Sequence, residues 1–159
     1  MEDNITYQEL CRLKKKTLTI RDDIIKKRNM RLFSIKDLNL DEIIEKFSFR
    51  HMQAENTDSC CMFANNKVCH SMNIDELNCF GCYCPNYDLE IAYDKSVELY
   101  KLGKCNINSK FGIYKQTGTK SDLPKEYLVP NCSNCTIPHN KTFLKKIIEQ
   151  DLKIFLGQK

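Results

Sequence analysis

Nine of the ten cysteines fall between Cys60 and Cys135, and their spacing points to metal coordination. Cys79 and Cys82, and again Cys132 and Cys135, are each separated by two residues. That gap lets a tight turn aim two sulfurs at one ion, which is why it recurs in tetrahedral structural zinc sites. Around these two knuckles stand Cys60 and Cys61, Cys69 beside His70, Cys84, Cys105 and His139. Thiolates and neutral imidazoles are the donors zinc prefers. The blander reading, cysteines packed as small hydrophobes, suits Cys11, which is alone in the first 59 residues, better than it suits the cluster.

Nine clustered cysteines and two histidines exceed the eight positions of two four-ligand sites. Two zinc ions are therefore expected, with donors to spare. Cys60 and Cys61 are adjacent and poorly placed to serve the same ion, so the choice between them is open. Cys82 and Cys84, one residue apart, are expected to face different ions. His70 and His139 each read either as a ligand or as a supporting residue beside one. His51, in the run Phe-Ser-Phe-Arg-His, reads as a surface or interface residue.

Two stretches carry a resemblance. Asn78-Cys79-Phe80-Gly81-Cys82-Tyr83-Cys84-Pro85-Asn86-Tyr87 and Asn131-Cys132-Ser133-Asn134-Cys135-Thr136-Ile137-Pro138-His139 are similar to the two motifs of the cysteine-rich small domain family, a zinc-finger-like metal-binding family of prokaryotes. The resemblance covers about residues 60–145, leaving the basic N-terminal third outside. It implies metal binding through Cys61, Cys69, His70, Cys79, Cys82, Cys84, Cys105, Cys132, Cys135 and His139, and it implies no activity. Two departures stand out. The family has a closer cysteine before its Cys-His pair, whereas Cys61 is eight positions before Cys69. Gly103-Lys104-Cys105 stands where the family tends to have Cys-Gly-Gly.

Zinc is not the one metal such a chain can serve. Cys84-Pro85 echoes the end of ferredoxin-like runs, so an iron–sulfur redox protein is the alternative, although those runs hold four closely spaced cysteines in a different rhythm. A thioredoxin-like role lacks the strand-then-helix pattern around either knuckle. A zinc hydrolase, the third reading, needs an open coordination position and a carboxylate base. Asp75, Glu76, Asp88 and Glu90 are nearby in sequence, with none singled out. The expectation is a binding or accessory module rather than an enzyme.

The elements that position these residues are partly legible. Leu10, Leu13, Thr17, Ile20 and Ile24 recur at steps of three and four, the mark of a helix with one apolar seam. Asn39 and Glu42 form a capping-box pattern for a second helix with Leu40, Ile43, Ile44 and Phe47 as its stripe. Asn140 can cap a helix over 140–155 that buries Phe143, Leu144, Ile147, Ile148, Leu152 and Phe155. Residues 87–102 read as helical or partly extended, and 110–120 as a strand running into a turn. The sum is a small α+β fold, irregular and metal-stabilised around its cysteines, with added N-terminal helices and a C-terminal helix. We divide it into a helical, basic region over 1–52 and a cysteine-rich domain over 53–159.

Composition narrows the rest. With 159 residues, 42% of them hydrophobic, and few Gly or Pro, the chain suits one modest core and excludes collagen-like or low-complexity classes. No run approaches the roughly 18 apolar residues of a spanning helix, and the acidic start Met1-Glu2-Asp3 does not resemble a secretory signal. A cytoplasmic protein is expected, in which thiols stay reduced and the four Asn-x-Ser/Thr sequons carry no glycan. The formal charge of +4 assumes neutral thiols, and eight thiolates on two divalent ions would bring it to zero. Nine basic residues between Arg12 and Arg31 face only Asp22 and Asp23. Such a face can follow phosphates, yet a solvated helix surface is the commoner case, so nucleic acid is not favoured. The apolar seam of the same helix suits self-association or a protein partner.

Overall fold

Thr6 and Glu9 start the chain's first helix by reciprocal capping: the Thr6 amide donates to the Glu9 carboxylate at 2.8 Å, and the Glu9 amide donates to the Thr6 hydroxyl at 3.2 Å. The helix that follows, α1 (Tyr7–Ser34), runs for 28 residues. The structure is a computed structural model that describes residues 5–55, 60–65, 67–107, 109–110, 113–117 and 126–157. The fold is α+β, and the chain divides into two compact units, each built from two stretches of sequence: Met1–Arg21 with Pro85–Cys132, and Asp22–Cys84 with Ser133–Lys159.

The first unit holds the sheet. Its strands are β1 (Tyr87–Asp94), β2 (Leu99–Cys105), β3 (Ile113–Thr117) and β4 (Tyr127–Asn131), in the order β1-β2-β4-β3. The pairs β1–β2 and β3–β4 are antiparallel, while β2 and β4 run parallel, paired at Lys101 and Leu128. The stretch read as helical or partly extended is thus a hairpin. A register shift between Asp88 and Ile91 breaks its two-residue alternation. Gly103 sits at φ +92°, and a side chain there would run into the Tyr87 hydroxyl, so glycine meets two demands at once. The expected strand within 110–120 is β3, and residues 118–120 lie outside the described residues. Ile5, Leu10, Leu89, Leu102 and Tyr127 form this unit's core, with Leu13 and Leu18 against it.

The second unit is helical. It contains α2 (Leu40–Lys46), α3 (Phe49–Ala54), α4 (Cys61–Ala64) and α5 (Lys141–Phe155), with single 3-10 turns at Cys79–Gly81 and Ile137–His139. The Asn39–Glu42 capping box is present, and Asn140 accepts from the amides of Thr142 and Phe143. Ile43 and Phe47 from the first stripe and Leu144, Ile147 and Ile148 from the second are buried in one core with Leu32, Phe49, Leu77 and Phe80. Phe47 meets Phe80 edge-on at 5.0 Å between ring centres, and Phe49 meets Phe63 at 5.1 Å. Two expected apolar positions depart from the pattern. Ile20 is 48% exposed and interrupts the first seam, and Phe155 is 38% exposed at the end of the last. Cys11, expected to pack, is exposed on α1. No helix among the described residues is long and apolar enough to cross a membrane.

Candidate metal centre

The Cys79–Gly81 turn is shaped by its own sequence. Asn78 accepts from the Phe80 amide at 2.9 Å, its side-chain amide donates to the Ile44 carbonyl at 2.8 Å, and the Cys82 amide donates back to the Cys79 carbonyl at 3.2 Å. The Cys79 amide donates to the Phe47 carbonyl at 2.8 Å, tying the knuckle to the end of α2. Gly81 faces the Ile137–His139 turn so closely that a Cβ on it would strike the Pro138 carbonyl oxygen. Gly81→Ala should therefore destabilise this unit by about 1–3 kcal/mol through forced displacement of that turn, measured as a lower urea midpoint.

A cavity of about 410 Å³ within the helical unit is lined by Cys60, Cys69, His70, Cys79, Cys82 and His139. Four sulfurs and two imidazoles from four separate segments thus share one space. Cys60 stands at the start of α4, where its sulfur accepts from the Met62 amide at 3.4 Å. Burial pushes the Cys79 thiol up to about 12, with Cys82, Cys69 and Cys60 adding to it and Arg31 opposing. Burial also raises Cys82 to about 11, helped by Cys69 and Cys60, although part of Cys82 stays exposed. Cys69 is raised by burial and by Cys60. Cys69, Cys79 and Cys82 are thus each held toward the neutral thiol, by burial first and by neighbouring sulfurs second.

His139 presents the clearest single donor. It is 7% exposed, and its Nδ1 lies 2.8 Å from the Asn78 carbonyl oxygen and 3.3 Å from the Asn78 amide nitrogen, so Asn78 meets this nitrogen in either tautomer. Its buried Nε2 has no hydrogen-bond partner among the described residues, and with the proton on Nδ1 it presents a lone pair. A backbone carbonyl behind the ring is how proteins orient a metal-binding imidazole. Burial and the neighbouring His70, whose ring centre is 4.5 Å away, lower His139 to about 4, so it is neutral at pH 7. As placed, however, no three His, Cys, Asp or Glu side chains among the described residues stand close enough together to hold a metal ion. The donors line one cavity without converging on one point.

The remaining candidates lie elsewhere. Cys84 is half-buried and Cys135 buried, both in the helical unit and off the cavity lining. Cys105 closes β2 and Cys132 follows β4; the two strands are parallel neighbours, so both cysteines leave the same end of the sheet. The side chain of Cys61 lies outside the described residues. Asp75 pairs with Arg50 at 2.5 Å, Glu90 pairs with Lys104, and none of the four carboxylates considered for a hydrolase lines the cavity. His51 is half-buried against Glu55 at 2.8 Å. Sequence reading missed Asn78, whose signal was its place just before a cysteine turn, and it missed Arg28 and Arg31, which line the cavity but read as two more charges in a basic run. Compared with known proteins, the chain matches no family model, no curated protein and no solved structure, so its likeness to the cysteine-rich small domain family rests on the two motifs alone.

Proposed function

We propose that the chain is a zinc-binding module whose ion is held in the helical unit by thiolates of Cys60, Cys69, Cys79 and Cys82 together with Nε2 of His139. The observation that carries this reading is the shared cavity, which gathers these donors from residues 60–82 and from 139. Cys60 is named because it lines the cavity, and the side chain of Cys61 lies outside the described residues. Five donors for a four-coordinate ion leave one to spare, and modest side-chain rotations must bring four of them to bonding distance. When bound, zinc supplies positive charge and a fixed tetrahedral geometry. The residues supply the rest: Asn78 orients His139, the knuckle backbone fixes Cys79 and Cys82, and the apolar core packs against Cys60 and Cys79. The module serves in binding or as an accessory protein, with its metal acting as a staple.

Elemental analysis of protein purified without oxygen tests the reading. Stoichiometric zinc is expected, and cobalt substituted for it should give a thiolate charge-transfer band in the near ultraviolet. Stoichiometric iron with acid-labile sulfide and a broad visible band would replace zinc by a cluster. Absence of both would overturn metal binding altogether.

A further inference from the structure

We propose that Arg28 and Arg31 are positioning residues for the thiolate centre, supplying the positive charge against which its sulfurs are held together. The inference rests on the metal reading above and extends it to two residues outside every cysteine motif. They stand three positions apart on α1, so their side chains leave the same face of the helix, and both line the cavity that the four cysteines line. Neither is a solvated surface cation: their side chains are 15% and 21% exposed.

Their placement is held from several directions. Arg28 donates to Asp151 at 2.8 Å and to the carbonyl of Phe80, inside the knuckle, at 3.4 Å. Its guanidinium lies 4.4 Å from the centre of the Phe80 ring. Arg31 pairs with Glu55 at 2.5 Å, donates to the Lys46 carbonyl at 3.0 Å and lies 5.5 Å from the centre of the Phe47 ring. Its Nε is buried and has no hydrogen-bond partner among the described residues.

The physical need is plain. A divalent ion with three or four thiolates carries a net negative charge, and burying that charge is costly unless cations or amide donors face it. Lys27 also lines the cavity, but its side chain is 59% exposed and its ammonium is paired with Asp23, so solvent screens it. Arg28 and Arg31 are the shielded cations that remain among the described lining residues. Asp151 and Glu55 offset part of their charge, which makes those carboxylates a handle for the test.

The test uses the zinc-loaded full chain, with zinc affinity from competition against a chromophoric chelator and thiolate reactivity from the rate of alkylation by iodoacetamide. Arg28→Met and Arg31→Met should each weaken zinc binding about 10- to 100-fold, the range for residues supporting metal ligands, and speed alkylation. Arg28→Lys and Arg31→Lys should recover most of both. Asp151→Asn breaks the same ion pair as Arg28→Met yet leaves the cation in place, so zinc should be held as tightly as in the unaltered chain or more tightly. A merely structural role for the Arg28–Asp151 pair predicts that Asp151→Asn weakens zinc as Arg28→Met does, which would overturn the proposal. Should Arg28→Met fail to fold, Arg31→Met and Asp151→Asn decide the matter between them. Unchanged zinc affinity and alkylation in Arg31→Met overturns this inference alone, whereas an unaltered chain that takes up no zinc overturns the metal reading with it.

Discussion

Anaerobic removal of metal with a strong chelator is expected to abolish the cooperative unfolding transition of the helical unit. The reason lies in where the donors sit. Cys60 and Cys79 pack directly against the core that contains Phe47, Phe49, Phe80 and Leu144, and the knuckle backbone is bonded to the end of α2. Without metal, burial returns Cys79 and Cys82 to neutral thiols, and the segments that the ion would tie together lose that cross-link. Structural zinc contributes on the order of 10 kcal/mol or more to small domains at neutral pH, which equals or exceeds the whole stability of an ordinary domain. Hydrogen exchange gives the local readout: amides of α5 around Leu144, Ile147 and Ile148 should lose protection when metal is removed. A verified metal-free protein whose transition and α5 protection are unchanged would show that the cavity needs no ion.

Replacing Cys79 by serine should lower zinc affinity by at least about 100-fold, because a hydroxyl is a poor zinc donor beside thiolates. Cys79 is the right position for the change: it opens the knuckle, and its thiol is the one raised furthest. The matched control is Cys11→Ala. Cys11 lies exposed on α1, where alanine is the best helix former, so stability should move by no more than about 0.5 kcal/mol and zinc content not at all. Zinc content and a urea melt of both variants separate a site effect from a general cysteine effect. Equal metal loss in the two would place Cys11 at the centre and end the assignment of the site to the cavity.

Local rules carried the sequence reading as far as local rules go. Asn39 and Asn140 were legible as caps because a cap is decided within four residues, and the stripes that follow them were legible because a helix repeats its face every 3.6 residues. The two-residue gap of Cys79 and Cys82 announced a turn for the same reason. The β1–β2 hairpin was obscured by its bulge, which breaks the alternation that identifies a strand. The seam of α1 showed that a helix was present but not how far it is covered: Leu10 and Leu13 meet the sheet unit's core, while Ile20 faces solvent. Least legible was the interleaving of the two units, since pairing β2 with β4 and seating His139 beside Asn78 depend on contacts across dozens of residues. Arg28 and Arg31 were hidden for a related reason. A run of basic residues does not say which of them turn inward.

The distance in sequence between the proposed sulfur donors and His139 sets an order of events during synthesis. Its sulfur donors are all translated by Cys82, whereas His139 follows about 57 residues later. At roughly 5–20 residues per second, the nascent chain carries four uncompleted thiols for about 3 to 11 seconds before the imidazole, the Pro138 backbone that Gly81 packs against and α5 exist at all. During that interval the knuckle offers soft sulfur ligands with no enclosing wall, and such ligands bind copper ahead of zinc. On the zinc reading proposed above, selectivity arises only once residues 138–155 have arrived, and a ribosome-bound intermediate is the form most open to mismetallation and to oxidation.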